Sequence, residues 1–334
     1  MTSWAKRGEL LIERVLRRDG EPVLTAYMGY AEPDHLVLQG RVLSGMRRGE
    51  PDPEQTRWTN FKQMVSLFIT SEVADVKVIC DGVSGRTDAE GYITLRVPRG
   101  ADDSGLVTRA ARIEGQSEAV QMPAVVPDGD AAFGVISDID DTMMHTGAYN
   151  LVRNLWTTFT GNALTRRVFD DAKALMDRLH AGGRNPVFYV SSSPWNLHAF
   201  LNRIFQRAGL PQGPMFLRDL GVSDKGLVGA SHLDHKSAAV DRLIEANPQL
   251  NFVLLGDTGQ KDAYVYQDAV KRHPGRIIAV VLREPVQGSA KASLEALLKT
   301  ERLGVPTHHA RNFRDLPQRV LPETVRARGA GDQR

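Results

Sequence analysis

Cysteine is nearly missing from this sequence: Cys80 stands alone among 334 residues, so no disulfide can close within the chain and a reducing, intracellular setting is expected. Long apolar runs are missing too, and nothing approaches the about 20 consecutive residues that a transmembrane helix needs. The opening stretch MTSWAKRGELLIERVLRRDG alternates charged with apolar residues and lacks the unbroken apolar segment of a signal peptide. Neither sign of charge dominates. Lys and Arg number 42 against 40 Asp and Glu, a net charge of +2, so bulk charge gives no reason to expect nucleic acid as a partner. There is no internal repeat and no low-complexity segment. These absences leave a globular chain, expected in the cytoplasm, long enough for two domains with a core each.

What is present falls into two halves of different rhythm. In the first, PVLTAYMGYA and HLVLQGRVLSG have the β-branched and aromatic content of strands. EQTRWTNFKQMVSLFITSE places Trp58, Phe61, Met64, Val65 and Phe68 at the spacing of one amphipathic helix. VADVKVICDGVSGRTDAEGYITLRVPRG returns to alternation, with Asp81-Gly82 and Glu90-Gly91 as turn signals. Residues 1–130 are therefore expected to form a small β-rich, sandwich-like domain, and TDAEGYITLRV resembles a hairpin of the transthyretin-like or carboxypeptidase-regulatory type. QMPAVVPDGDAA, at 121–132, reads as the boundary.

Beyond it, strands are expected at 133–137, 186–191, 214–217, 251–256 and 276–282, and helices at 166–180, 194–208, 236–246 and 262–272. Such alternation implies an α/β domain over residues 131–300, a Rossmann-like doubly wound parallel sheet, with ligands at the carboxyl ends of its strands. Residues 301–334, rich in arginine and proline, read as a basic tail whose charge suits an anionic surface.

The chemistry gathers at those strand ends. AAFGVISDIDDTMMHTG, residues 131–147, carries an apolar run into Asp138, Asp140 and Asp141. Like charges crowded at a half-buried strand end need an opposite charge. A divalent cation is the simplest, and oxygen ligands without a cysteine or histidine set point to Mg²⁺ rather than Zn²⁺. NFVLLGDTGQKDAYVY brings a second strand into Asp257, with Asp262 placed to cap the next helix. NPVFYVSSSPWNLHAF ends a third strand in Ser191, and Pro194 is expected to open a helix. A serine loop at a helix N-terminus favours an anion; Ser193 otherwise reads as that helix's cap. HLDHKSAAVDRLIEANP sets Lys236 at a helix start, where the macrodipole opposes it. His232 and His235 have the spacing of a metal pair but no third ligand nearby, and His145 follows the acidic motif closely enough to line a pocket.

Asp-x-Asp, then serine, then lysine, then Gly-Asp with a second Asp: this order resembles the haloacid dehalogenase superfamily over roughly residues 133–285. The fuller strings DIDDTMMHTG, YVSSSPWNL and LLGDTGQKDAYVY resemble the catalytic domain of the actin-patch-protein type phosphatidate phosphatases, which is lipin-like in its motif order. The resemblance implies a phosphatase without a large cap. It makes Asp138 a nucleophile that becomes an aspartyl-phosphate, and Asp140 a general acid and base. It implies Mg²⁺ held by Asp138, Asp257 and the backbone carbonyl of Asp140, with Ser191 and Lys236 on the phosphate and Asp262 and Thr142 behind them. Asp141 stands where many members carry glycine and is given only a turn role. The reaction implied is Mg²⁺-dependent hydrolysis of phosphatidate to diacylglycerol and phosphate, reached by peripheral contact with a membrane or micelle surface. Leu151, Val152, Leu155, Trp156 and Phe159, with Trp195, offer an apolar face for such contact or for packing within the protein. Two other readings stay open: a phosphatase for a soluble phosphomonoester, and a catalytically silent sandwich-and-phosphatase-like binding protein. Oligomeric state, the first domain's role and whether phosphate passes only to water are left open as well.

Overall fold

The computed structural model describes residues 21–44, 72–145, 168–218 and 232–316. The chain divides into two units, one over 1–30, 34–100 and 106–124, the other over 31–33, 101–105 and 125–334. The expected helix through Trp58 and Phe68 and the apolar residues 151–159 lie outside the described residues.

Strands β1 (Pro22–Ala31), β2 (His35–Ser44), β3 (Lys77–Cys80), β4 (Val83–Arg86), β5 (Tyr92–Pro98), β6 (Gly105–Ile113) and β7 (Val120–Val126) share one sheet in the order β4-β3-β6-β7-β1-β2-β5. Ile93, Leu95 and Val97 of β5 are buried while Thr94, Arg96 and Pro98 are exposed, the period-two pattern of a strand with one wet face. The β3–β4 hairpin turns on Asp81 (φ 47°) and Gly82 (φ 78°), both left-handed, as an Asp-Gly turn between twisted strands requires.

The second unit alternates strands with helices: β8 (Gly134–Asp138), α1 (Asp170–His180), β9 (Val187–Pro194), α2 (His198–Ala208), β10 (Met215–Arg218), α3 (His232–Ala246), β11 (Phe252–Asp257), α4 (Asp262–Arg272), β12 (Ile277–Arg283), α5 (Lys291–Arg302) and β13 (Thr307–Ala310). The strand order is β10-β9-β8-β11-β12-β13, and every pairing is parallel. β8 and β11 are buried at every residue, as strands covered on both faces must be. From β8 the chain winds outward to β10, then returns to β11 on β8's other side and winds the opposite way. Right-handed crossovers in opposite directions carry their helices to opposite faces. The reversal therefore falls between β8 and β11, where an α/β sheet opens a crevice at its carboxyl edge. Asp138 and Asp257 are the last residues of those two strands.

Three elements differ from the sequence reading. Pro194 does not open a helix: its ψ of 153° keeps β9 extended, a 3-10 turn (Trp195–Leu197) follows, and α2 starts at His198. Proline fixes φ but not ψ, so one residue fits either role. α3 starts a turn early, at His232, with Asp234 in the first turn where the dipole favours an acid. Lys236 thus sits in the second turn, and the expected conflict with the dipole does not arise. Residues 307–310, read as part of a tail, form the sheet's edge strand, and Phe313 and Leu316 after it are buried. Among the described residues, no helix is long and apolar enough to cross a membrane.

Candidate active site

Asp138 closes β8 fully buried, and the chain then turns sharply. Asp141 makes the turn with φ at 59°, a left-handed conformation that Asp tolerates and glycine adopts freely. Its N–H donates to the Met144 carbonyl at 2.9 Å. The turn folds Thr142 back so that its hydroxyl donates to Asp138 Oδ2 at 3.1 Å. Asp138 Oδ1 accepts from Lys236 Nζ at 2.6 Å, and the same ammonium donates to Asp262 Oδ1 at 2.6 Å. Asp262 Oδ2 accepts the Asp257 N–H at 3.1 Å, so both its oxygens are engaged. Asp262 therefore does not cap α4 as expected; Lys261 holds the cap position and the carboxylate turns inward. Glycine at 256 permits this, because a Cβ there would lie 2.6 Å from Asp262 Oδ2.

Asp257 is divided in use. Its Oδ1 accepts the N–H groups of Gly259 and Gln260, each at 2.7 Å, while its buried Oδ2 has no hydrogen-bond partner. Carboxylate oxygens of Asp138, Asp257 and Asp262 lie within 4.8 Å of one another. Burial, reinforced by Asp262, pushes the Asp257 carboxyl up to about 8. Burial raises Asp138 well above the carboxylate range, although Lys236 opposes it. Burial alone would lower Lys236, but the Asp138 and Asp262 carboxylates outweigh it, and the amine stays an ammonium. One ammonium cannot balance three carboxylates, so Asp138 and Asp257 hold on to protons that a cation would replace. Hard oxygen donors, an unpartnered buried oxygen and that charge deficit fit a small divalent cation such as Mg²⁺.

Asp140 stands apart from this cluster. Its Oδ2 accepts the Ser191 hydroxyl at 2.6 Å and the Ser193 hydroxyl at 3.0 Å, and the Ser193 N–H donates to Ser191 Oγ at 2.9 Å. Burial raises its pKa, and these hydroxyls oppose the rise. Ser193 is thus no helix cap, and the serines lie on the extended end of β9, ahead of the 3-10 turn, rather than at the start of α2. Trp195 stacks on His198, with ring centroids 5.7 Å apart. His145 lies against Phe169 at 3.9 Å between ring centroids. His235 interacts with the backbone of Phe216 and Ser191, and the Asp138, Asp257 and Asp262 group is the candidate cation cluster among the described residues.

Sequence reading missed Arg283, the last residue of β12. Its Nε donates to the Thr142 carbonyl, Nη1 to the Arg311 carbonyl and Nη2 to Asp171 Oδ2, each at 2.9 Å. Its guanidinium lies between the rings of Phe169 at 4.0 Å and Phe313 at 4.2 Å. Asp171 also accepts the Phe313 N–H at 2.6 Å. The loop bearing Asp140 and Thr142 is thereby tied to α1 and to the segment after β13. An arginine closing the apolar run IIAVVLR was the available signal, since a charge at a buried strand end needs partners.

Residues 133–284 match the family model described as "Phosphatidate phosphatase APP1, catalytic domain". Phosphatidate phosphatase APP1 of Saccharomyces cerevisiae is 28% identical over 238 residues, covering 66% of this chain and 40% of that protein. An uncharacterized protein of Schizosaccharomyces pombe is 24% identical over 232 residues, covering 66% of this chain and 37% of its own length. The chain thus spans about two fifths of the curated relatives it matches. Among solved structures, a HAD family hydrolase from Salmonella enterica serovar Typhi aligns over 88% of this chain and 89% of its own, at 10% identity and a TM-score of 0.31; that likeness carries no weight here. The resemblance drawn from the motif strings is shown over residues 133–284, the segment that carries Asp138, Asp140, Thr142, Ser191, Ser193, Lys236, Asp257 and Asp262.

Proposed function

From a segment that matches a phosphatase catalytic domain, we propose that this chain is a Mg²⁺-dependent phosphomonoester hydrolase acting on phosphatidate through an aspartyl-phosphate on Asp138. The observation that carries the reading is the Asp138–Lys236–Asp262 bridge beside the unpartnered Asp257 oxygen, at the carboxyl edge of adjacent strands. The Lys236 ammonium opposes the protonation that burial favours at Asp138, and a cation held beside it would oppose it further, which is what a carboxylate nucleophile needs.

In this reading an Asp138 oxygen attacks phosphorus, and the bond from phosphorus to the leaving oxygen breaks. Asp140, as the carboxylic acid, gives its proton to that oxygen and releases diacylglycerol. A water then gives a proton to Asp140 while its oxygen attacks the phosphorus, the bond to Asp138 breaks, and inorganic phosphate leaves. Ser191 turns its hydroxyl to a phosphoryl oxygen, and Lys236 sets a positive charge beside the same group. Asp138, Asp257 and the Asp140 carbonyl would hold Mg²⁺, which when bound offsets the repulsion between nucleophile and phosphate. Thr142 and Asp262 fix the orientation of Asp138 and Lys236. The lipid rests on the family match, and a peripheral approach to a membrane surface follows from it.

The test is phosphate release from phosphatidate in mixed micelles and from glycerol 3-phosphate, with Mg²⁺ and with EDTA. Release that needs Mg²⁺ and strongly favours the lipid is the expected result. Release from the soluble ester alone would keep the chemistry and overturn the lipid. Release from neither would turn the search to other phosphomonoesters or to a binding role.

A further inference from the structure

A serine hydroxyl has one proton to donate, and two acceptors compete for that of Ser191. In the structure it donates to Asp140 Oδ2 at 2.6 Å. In the proposed reaction it donates to a phosphoryl oxygen, and it cannot do both at once. Were Ser191 the sole support of Asp140, binding substrate would release the acid at the moment its aim matters.

Ser193 resolves this competition. Its hydroxyl donates to the same Oδ2 at 3.0 Å, and its N–H donates to Ser191 Oγ at 2.9 Å. The residue is buried, 8% exposed. Its backbone is fixed from the sequence, because the Pro194 ring pushes the preceding residue into extended conformation. On an extended strand, residues two apart point to the same side, so Ser191 and Ser193 face Asp140 together. Substrate that draws off the Ser191 hydroxyl leaves the Ser193 hydroxyl in place.

Resting on the phosphatase reading above, we propose that Ser193 is a positioning residue that keeps the Asp140 carboxyl aimed at the leaving oxygen while Ser191 serves the phosphate. Replacing Ser193 by alanine removes the hydroxyl and leaves the N–H to Ser191 intact, so phosphate binding is spared. The loss then falls on proton delivery. An alkyl leaving group needs that proton to depart, whereas a nitrophenolate leaves readily without it.

The experiment compares wild type, Ser193→Ala and Ser193→Thr on dioctanoyl phosphatidate and on p-nitrophenyl phosphate, all with Mg²⁺. For Ser193→Ala, kcat on the alkyl ester should fall by roughly 10- to 100-fold, part of the 10²–10⁴ that general acids supply. Read as the pre-steady-state release of p-nitrophenol, which precedes the water step that both esters share, the fall on the aryl ester should be at least tenfold smaller, KM should stay within about twofold on both, and threonine should restore most of the alkyl rate. Equal losses on the two esters, or none, would overturn the role and leave the phosphatase reading standing. A wild-type chain that releases phosphate from neither ester would overturn the phosphatase reading and this role with it.

Discussion

At Asp257 one carboxylate oxygen takes two backbone N–H groups and the other takes none, inside a cluster of like charge. Its carboxyl is raised from 3.8 to about 8 by burial and by Asp262. A raised carboxyl binds its proton more tightly in the folded chain than in the unfolded one. The contribution of Asp257 to stability without metal is therefore full below about pH 4 and is lost as pH rises through about 8. Asp138 shifts in the same direction and adds to the decline. The expected outcome is a melting temperature of the metal-free protein that falls between pH 5 and 8 and recovers when Mg²⁺ is added. Asp257→Asn should flatten that profile and raise the metal-free melting temperature at pH 8, by about 2–4 °C for each kcal/mol of repulsion relieved. Mg²⁺ binding must displace a proton, so its affinity should rise with pH over the same range. A flat profile with unchanged Mg²⁺ affinity would contradict the cation assignment. Lys236 has the opposite standing: removing it strands Asp138 and Asp262, a loss on the order of 3–5 kcal/mol, so it serves the fold as well as the site.

Among the elements, β12 and the segment after β13 do what the motifs do not. Arg283, at the end of β12, joins the Thr142 carbonyl, Asp171 of α1 and the Arg311 carbonyl beyond β13. The turn bearing Asp140 and Thr142 is thus braced by residues after 301, beyond the segment 133–284 that carries the family likeness. Arg283→Met should lower unfolding stability by about 3–5 kcal/mol, because Asp171 is left as a buried charge with only the Phe313 N–H. Adding Asp171→Leu should recover a substantial part, since the two losses share one interaction. Urea unfolding of both variants checks this, and additive losses would refute the pairing.

Over the whole molecule, legibility followed the range of the interaction. Apolar runs ending in Asp138, Ser191 and Asp257 are local patterns, so the alternating strands and helices and the strand ends that bear the chemistry were readable. Asp138 and Lys236 are 98 positions apart, and no local rule says that they form one ion pair. Asp262 offered a cap or a partner for Lys236, and packing against Gly256 decides for the lysine. Pro194 fits a helix start or an extended end equally well at its φ, so the inward turn of Ser193 was hidden. β13, THHA, has no apolar alternation and is a strand because β12 pairs with it. The proposed reaction phosphorylates Asp138. Its most direct test is rapid acid quench of the Mg²⁺-loaded protein during turnover of phosphatidate, followed by peptide mass spectrometry with and without hydroxylamine. A hydroxylamine-sensitive phosphoryl group on the peptide bearing Asp138, absent in Asp138→Asn together with a loss of turnover of at least about 10³-fold, is the result predicted. A phosphoryl group on another residue, or turnover that survives Asp138→Asn, would contradict it.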